Sequence, residues 1–151
     1  IKHFTQDEML MFQSMVKAAV IDDDMDVYRR VIEDAGMLQL DAPFTTEECG
    51  EYFSHFYEPV RESRIMEWSG AYATSIVRHT FDRTSAIAQY ATVPKSFVFI
   101  QRINLGLYAL LGQLRSSGNY RRISEELWPM TNASASTPMG EAEAKWLASR
   151  D

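Results

Sequence analysis

The chain has 151 residues, 46% hydrophobic and 24% charged, with seven Gly and five Pro. That composition excludes disordered and fibrous classes and fits one compact domain built from long helices. A formal charge of −6 speaks against a nucleic-acid binder, and a single cysteine, Cys49, excludes an internal disulfide and fits a reducing compartment.

The chain opens abruptly on Ile1-Lys2-His3-Phe4, without Met and without a signal peptide, as a fragment or processed product would. Thr5-Gln6-Asp7-Glu8 has the capping-box pattern and predicts a helix start, followed by Met9, Phe12, Met15, Val16 and Ala19 at helical spacing. Asp22-Asp23-Asp24-Met25-Asp26 lacks the central Gly and distal Glu of a calcium loop. These acids fit a helix N-terminus, where the dipole favours negative charge. That second helix carries Val27, Tyr28, Val31 and Ile32 and should stop at Gly36. Thr45-Thr46-Glu47-Glu48 is a second capping box, and Cys49, Tyr52, Phe53 and Phe56 follow on one face until Pro59 limits the helix. Ser69 should cap the next helix, which carries Tyr72, Ile76, Val77 and Phe81, and residues 82–85 read as a turn before a short helical stretch over 86–91.

The most apolar stretch is PKSFVFIQRINLGLYALLGQL, residues 94–114. It is hydrophobic nearly all round, which predicts a central buried helix enclosed by the others. Arg102 in mid-stretch speaks against a membrane span. A buried guanidinium needs local partners, so Arg102 is expected to be a structural anchor held by a carboxylate or carbonyls. Gly106 is expected to mark a close helix contact, since a mid-helix Gly otherwise costs stability. Gly118 should end this helix, and Asn119 should cap another over 120–128. Residues 130–139 are rich in Ser, Thr, Asn and Pro and read as a flexible linker. A short helix over 140–151 completes the chain, leaving 1–129 as the helical domain.

Residues 1–75 hold six Lys/Arg against fifteen Asp/Glu, a net of −9, while 76–151 hold nine against six, a net of +3. Between Arg78 and Arg122 lie seven basic residues and one acid, Asp82. Two oppositely charged halves that pack together is the plain reading; a basic face for a lipid headgroup or phosphate is the functional one. There is no phosphate-cradling Gly-rich loop, no Cys-x-x-Cys and no His-Glu-x-x-His. His3, His55 and His79 stand far apart in sequence. No catalytic, cofactor-binding or metal-ligating residue can be named.

The stretch 94–129, PKSFVFIQRINLGLYALLGQLRSSGNYRRISEELWP, resembles the C-terminal helices of the UbiB/AarF family of atypical kinases. The likeness is carried by Pro94, the apolar run 97–100, Arg102, Gly106-Leu107, Leu114 and Asn119-Tyr120-Arg121. Ile1-Lys2-His3-Phe4 resembles the residues just after that family's Asp-Phe-Gly motif, and 5–38 resemble the segment that comes next. The resemblance implies an all-α bundle like the distal part of a kinase C-lobe, from a parent protein that binds ATP and Mg and acts in quinone or lipid metabolism. The phosphate and metal ligands that phosphoryl transfer needs would lie before Ile1. The chain itself is then expected to be catalytically silent and to hold no cofactor. Its expected partners are the missing N-terminal kinase-like portion, a membrane lipid surface or a second copy of the fragment, with no nucleic acid. Its expected location is cytoplasmic, peripheral to a membrane. The alternative is an autonomous helical protein-interaction module using Trp68, Trp128 and Trp146. A third reading, a helical enzyme, requires a deep pocket with carboxylates converging on Arg102. Both the architecture and the kinship require the helix around Gly106 to lie in the interior; a peripheral helix or an extended sheet there would count against both.

Overall fold

The computed structural model describes residues 3–150, so Ile1 and Lys2 of the opening motif lie outside the described residues. The chain is predominantly helical. In order come α1 (Gln6–Val16), a π-helical turn (Lys17–Ile21), α2 (Met25–Asp34), α3 (Thr46–Ser54), a 3-10 turn (His55–Tyr57) and α4 (Glu58–Arg61). Then follow β1 (Met66–Glu67), α5 (Gly70–Phe81), a 3-10 turn (Ile87–Gln89), α6 (Lys95–Leu114), β2 (Ser117–Gly118), α7 (Tyr120–Leu127) and α8 (Pro138–Ala148).

Local chemistry sets most helix starts. Both capping boxes form: the Thr5 and Thr45 hydroxyls accept from the third helical N–H, and Glu8 and Glu48 reach back to the cap N–H at 2.8 Å each. Asp24 caps α2 through the Val27 N–H, so the acidic run serves a helix N-terminus as predicted. Ser69 caps α5 and Asn119 caps α7. Gly36 ends α2 with φ +71°, a conformation that L side chains rarely adopt.

Three boundaries depart from expectation. Pro59 does not kink α3; it opens the single turn α4 after a 3-10 step. The stretch 86–91 makes only a 3-10 turn. Helix α6 stops before Gly118: Arg115 adopts the left-handed conformation at its C-terminus, and Gly118 joins β2. β2 pairs antiparallel with β1, Met66 facing Gly118 and Glu67 facing Ser117, so the chain is not purely helical.

The core sits under the first half. Met15, Ala18, Ala19, Tyr28, Ile32, Leu38, Cys49 and Phe53 form it, joined by Ile87 and by Phe97 from the first turn of α6. Burial raises the Cys49 thiol above its ordinary range, as befits a small core residue. A smaller apolar group gathers at Trp68. Its ring stacks on Tyr108 of α6 with centroids 4.8 Å apart and meets Tyr72 and Tyr120 edge-on. Helices α5 and α6 pack side by side and approach most closely at Gly112, where an added Cβ would lie 3.0 Å from the Ser69 carbonyl oxygen.

The expectation of a central buried α6 is overturned. Only Phe97 and Gly112 of its twenty residues are buried. The helix lies at the periphery, one side against α5 and the Trp68 group, the other open. The physical reason is supply: the remaining helices bury their apolar residues mainly around α2 and α3, and none among the described residues covers the far side of α6. By length and composition α6 could also cross a membrane, with a mean hydropathy of 1.2.

Candidate functional site

The open side of α6 is the most distinctive surface of the molecule. Phe99, Ile103, Leu107, Leu110 and Leu114 line it, with Ile103 64%, Leu110 57% and Leu114 75% exposed. On a helix the steps of four and three between Phe99, Ile103, Gly106 and Leu110 place these residues in one stripe. The opposite stripe, Phe97, Tyr108 and Gly112, makes the intramolecular contacts. Two faces of one helix are thus apolar, and only one is used.

Arg102 and Gly106, the expected anchors, fall on this open side. Arg102 is exposed and has no ion pair or hydrogen-bond partner among the described residues. An added Cβ at Gly106 would meet nothing within 4 Å. Neither holds the fold of this chain. Charge on a peripheral helix needs no internal compensation, because water solvates it.

Anchoring falls to two other arginines. Arg121 of α7 donates to the carbonyl oxygens of Val20 at 2.7 Å, Val60 at 3.3 Å and Arg61 at 3.4 Å. It also pairs with Glu125 at 2.6 Å and lies over the Trp128 ring. One guanidinium thereby ties α7 to the π-helical turn and to α4. Its five donors in a planar fork allow this; an ammonium could not reach as many acceptors. Arg29 plays the same part between α2 and the following loop, donating to the carbonyls of Ala42 and Phe44 and to Glu33. Arg121 belongs to the motif residues of the resemblance and is not among the anchors expected from sequence. No local signal marks it, since its acceptors lie 60 to 101 residues away.

A second feature joins α3 and α5. The rings of His55 and His79 meet with centroids 4.2 Å apart and planes tilted by 40°, although 24 positions separate them. The His79 Nε2–H donates to the Tyr52 carbonyl oxygen at 2.9 Å. The His55 Nε2 is enclosed and has no hydrogen-bond partner among the described residues. Burial lowers the His55 imidazole from its ordinary value, and His79 adds to the effect, while Glu58 opposes it. Beside this pair an open hollow of about 340 Å³ is lined by Phe44, Glu48, Glu51, Tyr52, His79 and Ser85. A second hollow, about 620 Å³, lies among Asp23, Glu58, Arg61, Glu62 and Arg64, whose charges largely pair with one another. Tyr72 donates to Glu58 at 2.9 Å at its edge, and burial together with that carboxylate raises its phenol. Neither hollow includes Arg102, so the convergence of carboxylates required by the enzyme reading is not found there.

Of the three tryptophans, Trp68 is buried, Trp128 is half-buried against the core, and Trp146 is exposed on α8. Among the described residues no group of three or more His, Cys, Asp or Glu could hold a metal ion.

The arrangement defines a helical scaffold with an uncovered apolar flank. The chain matches no family model, and no curated protein or solved structure resembles it at a significant level.

Proposed function

We propose that this chain is the C-terminal helical portion of a UbiB/AarF-like atypical kinase or ATPase, catalytically silent alone and supporting the active-site lobe. The observation that supports this reading best is the uncovered face of α6. A helix apolar on both faces suits an interior position. This chain occupies one face and leaves Phe99, Ile103, Leu107 and Leu110 for a neighbour. The interior position that the kinship expects is not seen within this chain, and that counts against the kinship. The kinship draws on the motif residues between Pro94 and Arg121 and on the flank left open. ATP and Mg would be held by the missing portion. The resemblance further implies a cytoplasmic protein peripheral to a membrane.

Two measurements test the reading. The residues encoded immediately before Ile1 are expected to be Asp-Phe-Gly, and any unrelated sequence there overturns the kinship. Calorimetric titration of the chain with Mg-ATP is expected to give no binding heat, and micromolar affinity would contradict a silent fragment.

The second reading is an autonomous interaction module. The observation in its favour is α8, where Met139, Trp146 and Leu147 are all exposed. A stable, monodisperse chain with no kinase-like sequence upstream would favour it.

A further inference from the structure

We propose that the open face of α6 receives a single amphipathic helix that carries carboxylates along its flank. This deepens the reading of α6 as a flank covered by a neighbour, and rests on it, by stating what chemistry the neighbour has.

The spacing comes first. Phe99, Ile103, Gly106, Leu110 and Gln113 follow one another in steps of four, three, four and three. That is the repeat by which one helix seats against another. Tyr108 and Gly112 lie on the opposite, packed side, while Val98, Leu107 and Leu114 are exposed along the margins of the seam. Such a seam suits a rod better than a sheet.

Relief comes second. Gly106 leaves a notch between Ile103 and Leu110, with nothing within 4 Å of an added Cβ. A large apolar side chain of a crossing helix fills such a hole as a knob. A flat bilayer gains nothing from it.

Charge comes third. Helix α6 contains Lys95 and Arg102 and no acid. The two cations stand seven residues apart, on the same edge of the seam, and neither has an ion-pair partner among the described residues. A facing helix with Glu or Asp at the same seven-residue interval pairs with both. A second copy of α6 brings only more cations to the contact, which argues against self-association through this face.

The test uses the chain described here and two designed helical peptides. Both share one Leu/Ile seam; one has Glu at its flanking positions and the other Lys. Binding is read by fluorescence anisotropy of labelled peptide and located by amide chemical shifts. The Glu peptide is expected to bind about tenfold or more tightly than the Lys peptide. K95E/R102E is expected to reverse that order, with helicity unchanged because both positions are exposed. Gly106→Phe is expected to weaken the Glu peptide by about tenfold; should that variant fail to fold, Ile103→Asp serves instead. Equal binding of the two peptides, or no binding of either, overturns the proposal. So does binding of phosphatidylglycerol/phosphatidylcholine vesicles in place of the peptide, or a concentration-dependent dimer that shifts α6 amides. A non-kinase sequence upstream of Ile1 sinks the kinship and leaves the peptide result standing. Failure of the peptides with Asp-Phe-Gly present does the reverse.

Discussion

Two arginines separate what local sequence tells from what it does not. Arg102 stands in the most apolar stretch, where burial of a charged group would demand compensation; the structure leaves it in water. Arg121 stands in an ordinary polar helix and spans three backbone segments. The Arg121→Met variant is expected to lose about 2–4 kcal/mol, since the part-buried carbonyls of Val20 and Val60 lose a charged donor and Glu125 loses its partner. Arg102→Ala is expected to stay within about 0.5 kcal/mol. Urea denaturation of both variants decides, and equal effects would contradict the assignment. Gly106→Ala is expected to stabilise the chain by about 1 kcal/mol, because the site is helical and open. A loss on thermal or urea unfolding would show that Gly106 packs closely after all.

At the scale of elements, starts and stops were legible because their causes lie within four residues. The two capping boxes, the acidic run at the start of α2, Ser69, Asn119 and Gly36 could be placed beforehand, whereas the stop expected at Gly118 comes earlier, at Arg115. The side on which an element is covered was not legible. Apolar residues all round α6 say that both faces want partners, not that this chain supplies them. The His55–His79 contact was equally hidden, because it joins two helices through rings that share no motif. It has a consequence for pH. The folded state holds the His55 imidazole below its ordinary value, so the unfolded chain takes up that proton first. Stability is therefore complete above about pH 6.5 and is lost as pH falls from there toward the depressed folded value. Glu58 acts on His55, the Tyr52 carbonyl accepts from His79 and Asp82 interacts with His79; Asp82, lowered by its bonds to Thr84, loses its contribution only at lower pH. His55→Phe is expected to flatten the stability profile between pH 7 and about pH 5. An unchanged slope in urea melts across that range would show that another group titrates.

Across the whole molecule, the charge imbalance between halves does not work as first expected. The ion pairs among the described residues each lie within one half: Lys17 with Asp22, Arg29 with Glu33, Arg61 with Asp23, Arg64 with Glu58 and Glu62, Arg121 with Glu125. The halves are joined by carbonyls and rings instead. Helix α8 contributes least. It buries no residue, and Glu126 secures its approach through Ser136 and Thr137. Removal of residues 130–151 is expected to change stability by less than about 1 kcal/mol. A larger loss on urea denaturation would mean that α8 docks in solution.

The reach of Arg121 also bears on how the chain is made. A ribosome releases residues in order, and domains settle as their parts emerge. The segment through Arg61 leaves ahead of α7, carrying acceptor oxygens at Val20, Val60 and Arg61 that wait for a donor synthesised 60 or more residues later. Until α7 clears the exit tunnel, the acidic half lacks its fastener, and translation itself sets the moment at which the fold can lock.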